Sequence, residues 1–181
     1  MDRKEMGRYV TGYIVGGSMF LLVIPGIIYS VSYFSGSIFP YPICAYTEWR
    51  ILVSFIILIP GIVFMVWSNA SLFITGKGGP AEGFGIEISP KTKVLVTNGP
   101  YRYTRNPMVF GAYTIYLALT VYLNSYPAMI FVLIFFPVII FYIKKSEEKR
   151  LIKDFGEEYV KYRERVSMLI PLPPKKQNSI Q

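Results

Sequence analysis

The chain has no histidine and a single cysteine, Cys44, among its 181 residues. The first absence removes the commonest general base and the commonest metal ligand. The second excludes an intramolecular disulfide and leaves the redox compartment open. Charge is scarce as well, at 17% of residues against 52% hydrophobic, and it is unevenly placed. No charged side chain occurs from Tyr9 to Thr47, from Ile51 to Gly76, or from Asn106 to Ile143. A hydrocarbon core ~30 Å thick needs ~20 apolar residues at ~1.5 Å rise each, so every one of these runs is long enough to span it. The expected fold is all-α and integral to a membrane, with about four transmembrane helices in a single domain.

The charges that are present report orientation. Net charge is +8, and Lys and Arg cluster at Arg3, Lys4 and Arg8, between Lys77 and Arg105, and from Lys144 onward, with only Arg50 outside these groups. This is the positive-inside bias of cytoplasmic loops, where basic residues also meet anionic lipid head groups. It argues against a nucleic-acid partner and puts the N- and C-termini in the cytoplasm. The basic start followed by an apolar run resembles a signal segment. The run is too long for a secretory h-region and no cleavage pattern follows, so we expect an uncleaved anchor in a multi-pass cell-membrane protein.

Spans are expected at roughly 9–32, 49–75, 107–123 and 127–143. Pro25-Gly26 predicts a kink in the first, and Pro60-Gly61 an interruption in the second; the two pairs hint at an internal repeat. Aromatic-rich Tyr33 to Tyr46 suits an outer loop at head-group level. The connection Gly76 to Arg105 is long, Gly- and Pro-rich and without periodicity, which points to function or disorder, with Val94-Leu95-Val96 as a short extended piece. As one straight helix, Asn106 to Ile143 would be about 57 Å long. Turn chemistry at Asn124-Ser125-Tyr126-Pro127 divides it into a hairpin. Pro107 fits a first helical turn, and Pro137 should kink the fourth span. At 144–166, Leu151, Ile152, Phe155, Tyr159, Tyr162 and Val166 recur at helical spacing among charges, predicting an amphipathic cytoplasmic helix broken at Gly156. A flexible tail is expected over 172–181.

Chemistry concentrates in Asn98-Gly99-Pro100-Tyr101-Arg102-Tyr103-Thr104-Arg105-Asn106-Pro107-Met108. Arg102 and Arg105 lie three apart, and a guanidinium here can hold a carboxylate or phosphate bidentately; the plainer reading is a pair of topology anchors. Glu147-Glu148, flanked by Lys144, Lys145, Lys149 and Arg150, would ordinarily be a solvated, salt-bridged face. A hairpin between the last two spans nevertheless brings the start of one beside the end of the other, so Arg105 and the glutamates should meet. Gly76-Lys77-Gly78-Gly79 allows close backbone approach to a ligand but opens no βαβ unit.

Gly99 to Met108 with Gly111, followed in order by Glu147-Glu148, Leu151, Phe155-Gly156, Tyr159, Tyr162 and Ile170-Pro171, resembles the C-terminal signature of integral membrane methyltransferases. That group includes isoprenylcysteine carboxyl methyltransferase and the phospholipid methyltransferases. The resemblance implies S-adenosyl-L-methionine as methyl donor and a hydrophobic acceptor: a prenylcysteine carboxylate, a lipid amine or a small apolar thiol. It implies Arg105 and Asn106 as catalytic residues. Gly76, Gly78, Tyr101, Arg105, Asn106, Pro107, Glu147 and Glu148 would bind the cofactor, Arg105 by holding a carboxylate of cofactor or substrate and one glutamate by binding ribose or ammonium. No metal is implied. Asn106 departs from the histidine common in prenylcysteine enzymes. Two other readings are an NADPH-dependent membrane reductase with a related C-terminal region, and a non-catalytic membrane protein whose charges only set topology.

Overall fold

A computed structural model describes residues 3–77, 82–83, 86–87 and 92–175. Apart from a two-residue antiparallel pairing of β1 (Glu82–Gly83) with β2 (Ile86–Glu87), its regular structure is helical. Helix α1 (Arg3–Ser18) passes through a π-helical turn at Met19–Val23 into α2 (Ile24–Ser35). The irregularity expected at Pro25-Gly26 thus lies one turn earlier, where a wide turn accommodates the donor that Pro25 lacks. Helix α3 (Thr47–Ser71) runs unbroken through Pro60 and ends in a second π turn, Leu72–Gly76. The expected interruption at Pro60-Gly61 is therefore absent. Packed neighbouring helices tolerate a proline inside a membrane helix.

The charge-free run after Arg105 folds into α4 (Pro107–Tyr122) and α5 (Tyr126–Tyr142), joined through Asn124 in the left-handed conformation (φ 58°). Ser125 Oγ caps α5 by accepting from the Ala128 N–H at 3.3 Å. A third π turn, Ile143–Glu147, leads into α6 (Glu148–Arg165). Gly156 leaves helical geometry inside α6 (φ 54°, ψ −131°), as its position in the sequence predicts. Met6–Ser35, Thr47–Gly76 and the stretch beginning at Tyr126 are long and apolar enough to cross a membrane. Helix α4 is apolar but has only 16 residues, ~24 Å of helix against a ~30 Å core. Length and composition thus pick out three long apolar helices, with α4 as a shorter apolar fourth.

Small residues bring the helices together. A Cβ on Gly61 would lie 2.8 Å from Ile115 Cγ1, and one on Gly111 would lie 2.8 Å from the Gly61 carbonyl oxygen. Helices α3 and α4 form the most extensive pair in the molecule, in the manner of membrane helices that pack through glycine. Ile28, Tyr116, Ala128 and Val132 build one core between α2, α4 and α5. Outward-facing side chains such as Leu22, Phe34, Ile74 and Phe141 are exposed and apolar. With apolar groups both inside and out, the molecule suits lipid rather than water as its surroundings.

The two ends of the bundle differ. At one, the Asn124 side chain clasps the Cys44 backbone, with Oδ1 accepting from Cys44 N–H at 2.9 Å and Nδ2 donating to its carbonyl at 3.1 Å. At the other, Tyr9 Oη donates to the Lys77 carbonyl at 2.9 Å, and its ring meets Phe73 edge-on. The charged helix α6 and the start of α4 belong to this second end.

Candidate functional site

The site begins with a 3₁₀ turn, Gly99–Arg102, that delivers the chain to the N-terminus of α4. The next residues form no helix, and at Asn106 (φ −128°, ψ 59°) Pro107 disfavours the α conformation. Their backbone groups are satisfied instead by the segment following α6. Arg105 N–H donates to the Ser167 carbonyl at 2.8 Å, and Leu172 N–H to the Tyr103 carbonyl at 2.9 Å. Lys175 N–H also bonds the Arg165 carbonyl at 2.9 Å, so the first residues of the expected free tail are tied down. Residues 176–181 lie outside the described chain.

Arg105 and Glu148 form an ion pair, their side chains 9% and 11% exposed. The Arg105 guanidinium also donates from Nε to the Val166 carbonyl at 3.2 Å and from Nη1 to Tyr159 Oη at 3.3 Å. Arg163 Nη1 approaches the other Glu148 oxygen at 3.9 Å. The carboxylate that Arg105 holds here is thus the protein's own. Glu147, one residue earlier and at the end of the π turn, lines a cavity. The adjacent glutamates therefore occupy different positions, one in the wall and one behind it.

The cavity measures about 220 Å³. Tyr101, Arg105, Asn106 and Pro107 enter it from the start of α4, and Glu147, Arg150, Leu151, Phe155, Tyr159 and Tyr162 from the π turn and α6. Leu72, at the end of α3, and Thr92, Leu95 and Val96, from the long connection, close the remaining sides. Tyr162 Oη donates to the Tyr101 carbonyl at 2.6 Å, fixing α6 against the 3₁₀ turn. Burial raises the Tyr101 phenol well above its ordinary value, and Tyr162 and Glu147 raise it further. It is a neutral hydrogen-bonding group at physiological pH and not a phenolate base. Asn106 Nδ2 donates to the Met168 carbonyl at 2.8 Å. That bond uses one of the two amide hydrogens, and Oδ1 is the acceptor end of the side chain.

Of the residues singled out in the sequence, Tyr101, Arg105, Asn106, Pro107 and Glu147 are brought together on the cavity. Glu148 reaches it only through Arg105. Gly76 is buried beside it, where a Cβ would lie 2.8 Å from Thr92 Cγ2 and 3.0 Å from Val96 Cγ2; its carbonyl accepts the Lys93 N–H at 2.9 Å. Gly78 lies outside the described residues. Arg102 is exposed and is not among the cavity residues. Sequence reading did not assign Thr92, Leu95, Val96 or Arg150 to the site. The three from the connection show no periodicity that could have revealed them, and Val94-Leu95-Val96 forms no strand. Among the described residues no group of three His, Cys, Asp or Glu could hold a metal ion.

Comparison with curated proteins gives no match. Residues 49–158, more than half of the chain, match the family model described as phospholipid methyltransferase. The match runs from α3 through the start of α4 and the glutamate pair into α6, and so contains most of the cavity wall. This helical membrane protein belongs to the phospholipid methyltransferase family.

Proposed function

We propose that the chain is an S-adenosylmethionine-dependent methyltransferase that methylates the amine of a membrane lipid at the cavity beneath α4. The observation that carries this reading is the convergence of Tyr101, Arg105, Asn106, Pro107 and Glu147 on one cavity within the family-matched region. The lining suits the donor. Tyrosine rings offer π faces to a planar base and to a sulfonium cation, and the Glu147 carboxylate suits an ammonium group. Small-molecule sites usually occupy ~300–1,000 Å³, so this cavity seats one end of such a molecule rather than all of it.

Bound there, S-adenosylmethionine would supply an activated methyl group. An N–CH₃ bond forms as the S–CH₃ bond breaks with its electron pair remaining on sulfur, and the amine nitrogen gives up one proton. The protein's task is positioning. Arg105, its charge balanced by Glu148, acts as a braced wall. The family match supports a phospholipid amine as acceptor, and Asn106 Oδ1 can accept from its N–H while Nδ2 holds Met168 with one of its two hydrogens. In this reading the released proton passes to solvent water at the cytoplasmic end. The lipid acceptor enters from the bilayer, and the donor arrives from the cytoplasm, the side to which we assign both termini.

The test supplies methyl-tritiated S-adenosylmethionine or NADPH to the purified protein, and labelled donor to membranes containing it. Retention of the methyl donor, with label appearing in an amine-bearing phospholipid, is expected. Retention of NADPH instead, or of neither compound, would overturn the proposal. Label on a prenylcysteine carboxylate would overturn the choice of acceptor.

A further inference from the structure

We infer that the segment 166–172, which lies beyond the family-matched residues, is a strap that orients the cavity wall, with Thr104 as its positioning residue. The inference deepens the methyltransferase reading and rests on it for its kinetic readout. Thr104 is fully buried, yet it is polar and does not line the cavity. Its Oγ1 donates to the Met168 carbonyl and accepts from the Asn106 N–H, both at 3.2 Å. The same Met168 carbonyl accepts from Asn106 Nδ2 at 2.8 Å. Thr104 and Ser167 pair as an isolated parallel bridge, and the Ser167 and Val166 carbonyls take Arg105 N–H and Nε at 2.8 and 3.2 Å. Tyr103 closes the series by accepting the Leu172 N–H at 2.9 Å.

Arg105 and Asn106 therefore take their orientation from atoms outside the cavity. Losing this buried hydroxyl leaves the Asn106 N–H unsatisfied and leaves the Met168 carbonyl with the Asn106 amide alone. Valine has the shape of threonine without that hydroxyl. Because displacement of a positioned group by ~1 Å can cost ~10²-fold in rate, Thr104 should affect turnover without touching a substrate.

The experiment uses the full chain in lipid nanodiscs with Thr104→Val, Thr104→Ser and Leu172→Pro. Backbone hydrogen exchange at Arg105 and Leu172 is followed without donor, and kcat and the KM for S-adenosylmethionine are measured on a lipid amine. Thr104→Val should accelerate exchange at Arg105 and lower kcat by roughly 10- to 100-fold, with a smaller change in KM. Thr104→Ser should restore both to within about twofold, as expected if the hydroxyl hydrogen bond matters rather than bulk. Leu172→Pro removes the N–H to Tyr103 beneath a half-exposed side chain and should give an intermediate loss, deciding the matter if Thr104→Val fails to fold. Parental exchange and kcat in both Thr104→Val and Leu172→Pro would overturn the strap, as would Thr104→Ser failing as badly as Thr104→Val. A parent protein without methyl transfer would refute the functional reading, while the exchange measurements still decide the strap.

Discussion

At the scale of single residues, the adjacent carboxylates Glu147 and Glu148 make different contributions. Glu148 is nearly buried against Arg105 with Arg163 nearby. Removing one partner from a buried ion pair leaves an uncompensated charge and costs about 3–5 kcal/mol. Glu147 lines the cavity. Glu148→Ala should therefore lower stability by about that amount, seen as a reduced midpoint in thermal unfolding. Glu147→Gln should lower stability less than Glu148→Ala does and weaken S-adenosylmethionine binding about tenfold or more in a titration. Equal effects of the two variants on both measurements would contradict the division of roles. The sequence places the pair beside Arg105 because a hairpin must bring those helix ends together. It cannot distinguish the two glutamates, because the π turn at Ile143–Glu147 shifts the phase of the helix just before them. It likewise cannot show that Arg105 is already matched by a carboxylate of its own chain.

At the scale of elements, close approach of α3 and α4 sets the width of the site end. A methyl group on Gly111 would meet the Gly61 carbonyl at 2.8 Å and the Met65 nitrogen at 2.9 Å, both backbone atoms that cannot rotate away. Gly111→Ala should destabilise by about 1–3 kcal/mol through overpacking, despite a gain of up to about 1 kcal/mol in helix propensity. Gly17→Ala in α1, with nothing within 4 Å of the added atom, should be neutral or slightly stabilising. A Gly111→Ala protein as stable as Gly17→Ala in thermal unfolding would show that the helices can separate freely. Legibility at this scale follows local chemistry. Charge-free runs and the Asn124-to-Pro127 turn signal mark helices and hairpin because burial and turn geometry are local demands. Pro60 misleads because its fate depends on neighbours. The contribution of Thr92, Leu95 and Val96 stays hidden because irregular chain imposes no period on its side chains.

At the scale of the whole molecule, polarity follows the axis of the bundle. The cavity, Arg105, α6 and the Tyr9–Lys77 contact lie at one end. The Asn124–Cys44 clasp lies at the other, among the aromatic residues that precede α3. If the basic end faces the cytoplasm, as the positive-inside bias predicts, the partly exposed Cys44 faces the opposite side. Being the only cysteine in the chain, it serves as a built-in probe of orientation. A membrane-impermeant maleimide added outside intact cells should label the parent protein. A Cys44→Ser, Lys161→Cys variant places the thiol on α6, where the lysine side chain is 74% exposed, and should label only after permeabilisation. The reverse pattern would put the cavity outside the cell, where cytoplasmic S-adenosylmethionine does not reach it, and the proposed supply of donor and acceptor from opposite directions would fail with it.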